Sequence, residues 1–521
     1  MKISSVKRPL PRAVLTAALL LCSVNLLAAP KSTTRAAPSG ALVLERANSN
    51  ENIYDDATGD FISYLRGDVF FRLDDISIAA DSALWRKNDG IIDFTSNITV
   101  EHKGQLMTCG RLYFVKGEKI LTASGSVLYR DSARITYIRG NTAVYATDKK
   151  ECTLRGDPLL TRVDSNSVDT LFIRGRLMIY NDSTKIANVQ ENVRIDRGEL
   201  SATSRRGEYS VKKNSAKLRV NPVINYEKHK VAGDSVDLFF GKESFESANI
   251  LGNAHGRYTE ASDSTKDTTV ADIWSDSMAL SMYDSKKVNS MKAFGNARGK
   301  YSEASASGGS VTTTDITSDS LHMFMYETGK ISAMKAFGNA KGRYSEYADT
   351  AKSTMSTNIA SDSLRVSMFE TGKISSMTAF GKAHGRNAEW SASGTKDSLI
   401  THIWSDSLRV RMSDAGKMNS MRAFGNVVSR NFTVGDSTRT NEISGRTLLL
   451  TFGEGGKIER AIVMGEAQST YHIEESDGGG RNVAGGERIV VTFNKGKAQR
   501  LRVWGETNGN GAKGVYSPQL K

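Results

Sequence analysis

Several things are scarce in this chain. Only 7 of 521 residues are proline. Glycine, serine and threonine are abundant, a balance that favours many short strands joined by glycine-centred turns. Cysteine is rarer still, at 3 residues, too few for a disulfide-dense scaffold. After the first thirty residues no apolar run approaches the ~20 residues of a membrane helix, which excludes helical spans from the body of the chain. Gly-x-Ser-x-Gly, P-loop and His-Glu-x-x-His motifs are missing, and the seven histidines show no metal-ligand spacing. No enzyme, cofactor or metal is therefore expected. A hydrolase built on a β-helix would need an acid pair, and none stands out.

What is present begins with a basic, then apolar, N-terminus. Lys2, Lys7, Arg8 and Arg12 precede the apolar stretch 13–21, and Leu26-Leu27-Ala28-Ala29 offers small residues for cleavage after Ala28 or Ala29. This predicts a secretory signal over 1–29 and export to the periplasm. Leu19-Leu20-Leu21-Cys22 departs from a lipoprotein box, because Leu21 is not small. Removing the leader takes four cations and no acid, leaving 66 Lys and Arg against 57 Asp and Glu, or +9. Such a surface attracts anions; export argues against nucleic acid. Cys109 and Cys152 remain, and their spacing leaves both a disulfide and two buried free thiols open.

The body of the chain is one unit written about thirteen times. Four copies are nearly identical, with Gly295, Gly338, Gly381 and Gly425 spaced 43, 43 and 44 residues apart. The same grammar continues at Gly252, Gly465 and Gly505. Upstream it recurs more tightly at Gly67, Ser96, Gly125, Gly156, Glu191 and near Asn221. The longer central copies carry a polar insertion such as 302–315, which reads as a longer hairpin loop. Within a unit the period is two. Leu364, Val366 and Met368 alternate with Arg365 and Ser367, then Glu370-Thr371-Gly372-Lys373 turns the chain. Parity slips between Ile374 and Met377, predicting a bulge, and Gly381 permits a sharp bend. A single hairpin cannot bury its apolar face, but stacked copies can. The expected fold is all-β: an elongated jellyroll or solenoid-like stack of two facing sheets. One strand layer per unit gives a rod of ~60 Å, and two layers double it.

The order of Arg66-Gly67-Asp68-Val69-Phe70-Phe71, Ile78-Ala79-Ala80-Asp81-Ser82-Ala83-Leu84-Trp85, Ser96-Asn97-Ile98-Thr99-Val100, Gly110-Arg111-Leu112-Tyr113-Phe114 and Ser124-Gly125-Ser126-Val127-Leu128-Tyr129 resembles the OstA-like (organic-solvent-tolerance), or LptA, family. The likeness is best over 42–255. It implies a jellyroll whose apolar slot holds the lipid A acyl chains of lipopolysaccharide, with stacked jellyrolls bridging inner-membrane and outer-membrane transport components. The chain divides accordingly into a 30–255 region of that type, regular repeats over 256–430, degenerate repeats over 431–507 and a flexible tail over 508–521.

On this reading the slot candidates are Val69, Phe71, Ile78, Leu84, Val100, Leu112, Phe114 and Val127. A closed, packed core is the alternative use of the same row. Arg66, Arg72, Arg86, Lys103 and Arg111 are candidates for a phosphate-contacting rim. The central methionines read as core filling rather than metal ligands. Asp276, Asp319, Asp362 and Asp406 lack the spacing of a calcium solenoid and read as strand-start hydrogen bonders. The edges near 41–46 and 488–504 could add another jellyroll, end to end or from a transport component. Ile489, Val491 and Phe493 are the docking candidates at the C-terminal edge. The family's polarity sets the N-terminal edge toward the inner membrane and the C-terminal edge toward the outer one. The competing reading is a structural or adhesive extracellular β-repeat protein.

Overall fold

The computed structural model describes residues 42–518, except 132–134, 164–168, 243, 262–267, 305–309, 349–352, 392–393, 434–435, 454–457, 474–479, 495–496 and 506–511. The expected signal segment lies outside the described residues. Within them every regular element is a β-strand, from Leu42–Arg46 to Lys513–Pro518, and every pairing is antiparallel.

The repeat signature marks a corner. At Gly67 and Asp68 the backbone takes φ of +73° and +46°, and the same left-handed pair recurs at Gly295 and Asn296 (+76°, +47°) and at Gly381 and Lys382 (+75°, +48°). Two successive residues of that kind turn a strand out of one sheet and into another. Pairing skips at each such corner, as between Phe380 and Ala383. The strand on the far side skips too, as at Asp319, which lies between Ser318 and Ser320. Each long strand therefore contributes its first half to one sheet and its second half to the other.

Side chains within the two sheets meet in one shared core. Phe71, after its corner, packs edge-on to Phe94, which lies before the next one, with centroids 5.4 Å apart. The core runs without a break from Leu65 to Val491. Each repeat supplies two strands to each sheet, one with the Gly-centred corner and one with the Asp corner. At ~4.8 Å per strand that is ~9.6 Å per repeat, so the doubled estimate of rod length holds.

Other details follow or depart from the expectations. Ser375 is the extra residue between the pairs Ser367 with Ser376 and Met368 with Ile374, the bulge the parity slip predicts. The described parts of the insertion, 302–304 and 310–315, are strand rather than loop. Val288–Ala304 and Ser310–Met325 extend their ladder through it, pairing Ser302 with Thr313 and Ala304 with Val311. Its Thr and Ser residues suit a pleated, solvated surface. The corner aspartates are mid-strand rather than at strand starts. Asn296 Nδ2 donates to Asp276 Oδ2 at 3.0 Å, bracing the turn. Cys109 and Cys152 are free and buried.

Both ends are split. Among the described residues Leu42–Arg46 and Ser49–Asp55 pair only with Asp60–Leu73, one in each sheet. At the other end, Lys497–Trp504 and Lys513–Pro518 each pair, among the described residues, only with Gly480–Asn494. Part of the tail expected to be flexible is thus a strand.

Candidate functional site

The row predicted to face inward is largely where the periodicity put it. Val69, Phe71, Ile78, Leu112, Phe114 and Val127 are at most 1 % exposed, and Val100 is 7 % exposed. Leu84 is the exception and is corrected here: it is half-buried on the outer face. Asp81 is skipped at the corner of its strand, so the inward set steps from Ala80 to Ala83, and Trp85 rather than Leu84 packs on the core. The edge residues are corrected too. Ile489, Val491 and Phe493 sit on Gly480–Asn494, which is paired on both sides: Ile489 opposes Val463 and Val503, and Val491 opposes Ala461 and Leu501. Alternation identifies a strand but not its place in the sheet; the edge is its partner, Lys497–Trp504.

In the central repeats the interior is packed with buried side chains. There the gap bounded by Ile359, Ile403, Leu408, Met421 and Leu450 holds only about 20 Å³, roughly one water. Away from the corners, where the hairpin turns of the two sheets meet, the seam is latched by polar contacts. Asp182 accepts from Gln105 Nε2 at 2.8 Å, Tyr129 Oη at 2.9 Å and Lys185 Nζ at 2.6 Å. Arg162 donates to the Val211 carbonyl at 2.7 Å, and Tyr301 Oη to the Gly372 carbonyl at 2.9 Å. Burial pushes the Asp182 carboxyl up, but its bonds from Lys185, Gln105 and Tyr129 outweigh that and hold it below the usual carboxylate range.

Before the Asp182 latch, the seam is open. A cleft of about 490 Å³ lies between the turn at Asp74 and Asp75 on one sheet and the turns 116–119 and 147–150 on the other. That is within the range of small-ligand sites. Leu73, Ile76 and Phe114 form its apolar lining, and Phe114 belongs to the core. Lys103, Lys116, Lys119 and Lys150 stand around it. Lys103 is 2.9 Å from Asp75, and His102 is 3.2 Å from the same carboxylate. The hydrogen bond from Lys103 is the main reason Asp75 sits below the usual carboxylate range. Lys116, Lys119 and Lys150 have no ion pair among the described residues; Asp74 and Asp148 also line the cleft, so four lysines face three carboxylates and the balance is +1. Tyr145, also in the lining, is raised to about 12, mainly by burial, and stays a neutral hydroxyl.

Of the rim cations named from sequence, only Lys103 lines this cleft. Arg72 is tied to Glu45 and Arg111 to Asp93; Arg66 and Arg86 are exposed on the outer face. Lys116, Lys119 and Lys150 were missed. Their signal is positional: they occupy hairpin turns about one repeat apart, which stacking brings side by side, with the Thr147 N–H donating to the Lys119 carbonyl at 3.1 Å.

No family model and no curated protein matches this chain. Among solved structures it is similar to LptH of Pseudomonas aeruginosa, described as the LptA-homologous periplasmic component of the conserved lipopolysaccharide transport device. The identity is 10 %, the match covers 28 % of this chain and 82 % of that one, and the TM-score is 0.16.

Proposed function

We propose that this protein is a periplasmic carrier that binds lipopolysaccharide and passes it along a β-stack toward the outer membrane. The observation carrying this reading is the seam cleft, where an apolar floor continuous with the core meets cations that lack partners. An amphiphile with phosphates beside acyl chains satisfies both halves at once. The phosphates replace water at Lys116, Lys119 and Lys150, and apolar area leaves water at ~25 cal/mol per Å². The cleft holds a headgroup and the start of a chain; deeper passage requires the two sheets to part before Asp182. The motif series over 42–255 supports the same reading.

The open edges support end-to-end assembly. Ser49–Asp55 at one end and Lys497–Trp504 at the other expose unpaired backbone groups on which another jellyroll, from a transport component or a second copy, adds as a strand. The rival, a structural or adhesive rod, draws on the filled central interior and the near-identical repeats.

Binding of fluorescent lipopolysaccharide to the purified chain tests the proposal. The Lys116→Glu, Lys119→Glu, Lys150→Glu variant is expected to lose at least tenfold in affinity, since each contact to a phosphate is charge-assisted. Unchanged affinity, or none in the parent chain, favours the structural rod.

A further inference from the structure

The outer face of one sheet changes character partway along the chain. The residue just before each corner points outward from this sheet. In the early repeats it is polar: Arg66, Thr95, Ser124 and Gln190. In the central repeats it is Phe294, Phe337, Phe380 and Phe424, whose exposures are 42, 41, 53 and 45 %. Leu251 and Met464 extend the row at either end, both more than 40 % exposed. The rings are held in place: His322 meets Phe294 and Phe337 edge-on at 5.5 and 5.3 Å. Isolated exposed apolar residues are ordinary, but a row of equivalent ones is not.

The charges change at the same place. In the early repeats the outward positions of this sheet carry acids as well as cations, and some of them pair, as in Arg111 with Asp93 and Lys217 with Glu208, while Arg66 and Arg86 have no ion pair among the described residues. Between Val288–Ala304 and Met418–Thr433 the outward strand positions of this sheet carry Lys292, Lys335, Arg365, Arg409, Arg411 and Arg422, and, away from the corners, no Asp or Glu. None of these six cations has an ion pair among the described residues; Lys335 lies over the Phe324 ring at 4.9 Å instead. The corners of these strands carry the aspartates. Two of them are engaged with the corner asparagines Asn296 and Asn339.

We propose that this face docks on a bilayer surface bearing anionic, phosphate-containing lipids. The unpaired cations are complementary to such a surface, and phenylalanine has no polar group to satisfy, so its ring suits an acyl boundary. The repetition favours the same partner. One Phe returns every 43 or 44 residues, with a cation two positions before it in three of the four repeats and Thr378 in the other, so successive repeats offer similar contacts. A laterally uniform lipid surface answers each of them equally, whereas a folded acidic protein presents a unique one. This docking lies on the outside of the sheet and is independent of the seam cleft.

Flotation of the full chain with vesicles tests it. The chain is expected to float with phosphatidylglycerol-containing vesicles, not with pure phosphatidylcholine, and to be released by salt. A variant with Phe294, Phe337, Phe380 and Phe424 changed to Ser is expected to bind at least tenfold more weakly, with its circular dichroism unchanged. Changing Lys292, Lys335, Arg365 and Arg422 to Ser should weaken binding similarly and flatten the salt dependence. If the fourfold Phe variant misfolds, Phe380→Ser alone is read, with about a twofold loss expected. Absence of flotation, equal flotation with neutral vesicles, or variants that bind like the parent overturns the proposal. So does binding to dextran sulfate or to an acidic protein that persists when vesicle binding is absent. Wild-type lipopolysaccharide affinity in the fourfold Phe variant keeps this result separate from the seam proposal.

Discussion

Gly381→Ala probes the corner that organises the whole stack. At φ of +75° an L side chain costs roughly 1–2 kcal/mol, partly offset by about 0.5–1 kcal/mol of glycine chain entropy. The added methyl meets a second obstacle. It would lie 2.1 Å from Asp362 Oδ2, 2.7 Å from its Cγ and 2.9 Å from its Cβ. Rotating the carboxylate clears the first two contacts but not the third, so the backbone must shift, at a typical cost of about 1–3 kcal/mol. The sum is about 2–3 kcal/mol. Because the stack is quasi-one-dimensional, the loss should be local. Hydrogen exchange followed by mass spectrometry should speed up in peptides from 353–391 and stay unchanged near 91–102. In the double variant with Asp362→Gly the steric part disappears, so the two substitutions should fall short of additive by about 1–2 kcal/mol. Additive effects, or acceleration spread over the whole chain, would refute the reasoning.

Further outcomes follow from other residues. Val220 is a β-branched residue at φ +69° in an exposed corner position, so Val220→Gly should stabilise its repeat by about 0.5–1 kcal/mol, measured as slower exchange around 215–226. Asp182 is held below its ordinary range, so its latch is intact above about pH 4 and is lost as pH falls through the depressed value. The thermal midpoint should therefore drop on acidification below pH 4, and drop less in Asp182→Asn, which starts about 1–3 kcal/mol lower at neutral pH. Burial raises the Cys109 thiol to about 11 and the Cys152 thiol to about 12. Both should resist alkylation at pH 8 in the folded chain and react only after denaturation.

The features legible in the sequence were those set by local chemistry. Glycine takes the first left-handed position of a corner most readily, so the spacing of Gly67, Gly125 and Gly295 reported those corners directly, whereas Glu191 and Val220 mark corners that glycine does not. The slip between Ile374 and Met377 likewise announced the bulge at Ser375. Misses came where geometry depends on the partner strand. Leu84 was assigned inward because period two was carried through a corner that skips Asp81. The inserted segments are polar, which reads equally as loop or as solvated strand, and pairing with a neighbour decided for strand. Val491 alternates like an edge residue, but chain order does not reveal that Lys497–Trp504 lies outside it. The cleft was the hardest to see, since Lys116 and Lys150 come together only once the turns stack.

The central claim is that lipid enters the stack at the open seam. A photoreactive residue placed at Phe114, in the cleft lining, tests this in the native host. The same residue at Leu84, on the outer face, is the control. Illumination should yield a lipopolysaccharide adduct from Phe114 and none from Leu84. Adducts from both positions alike, or from neither while the chain is folded and exported, would contradict the account.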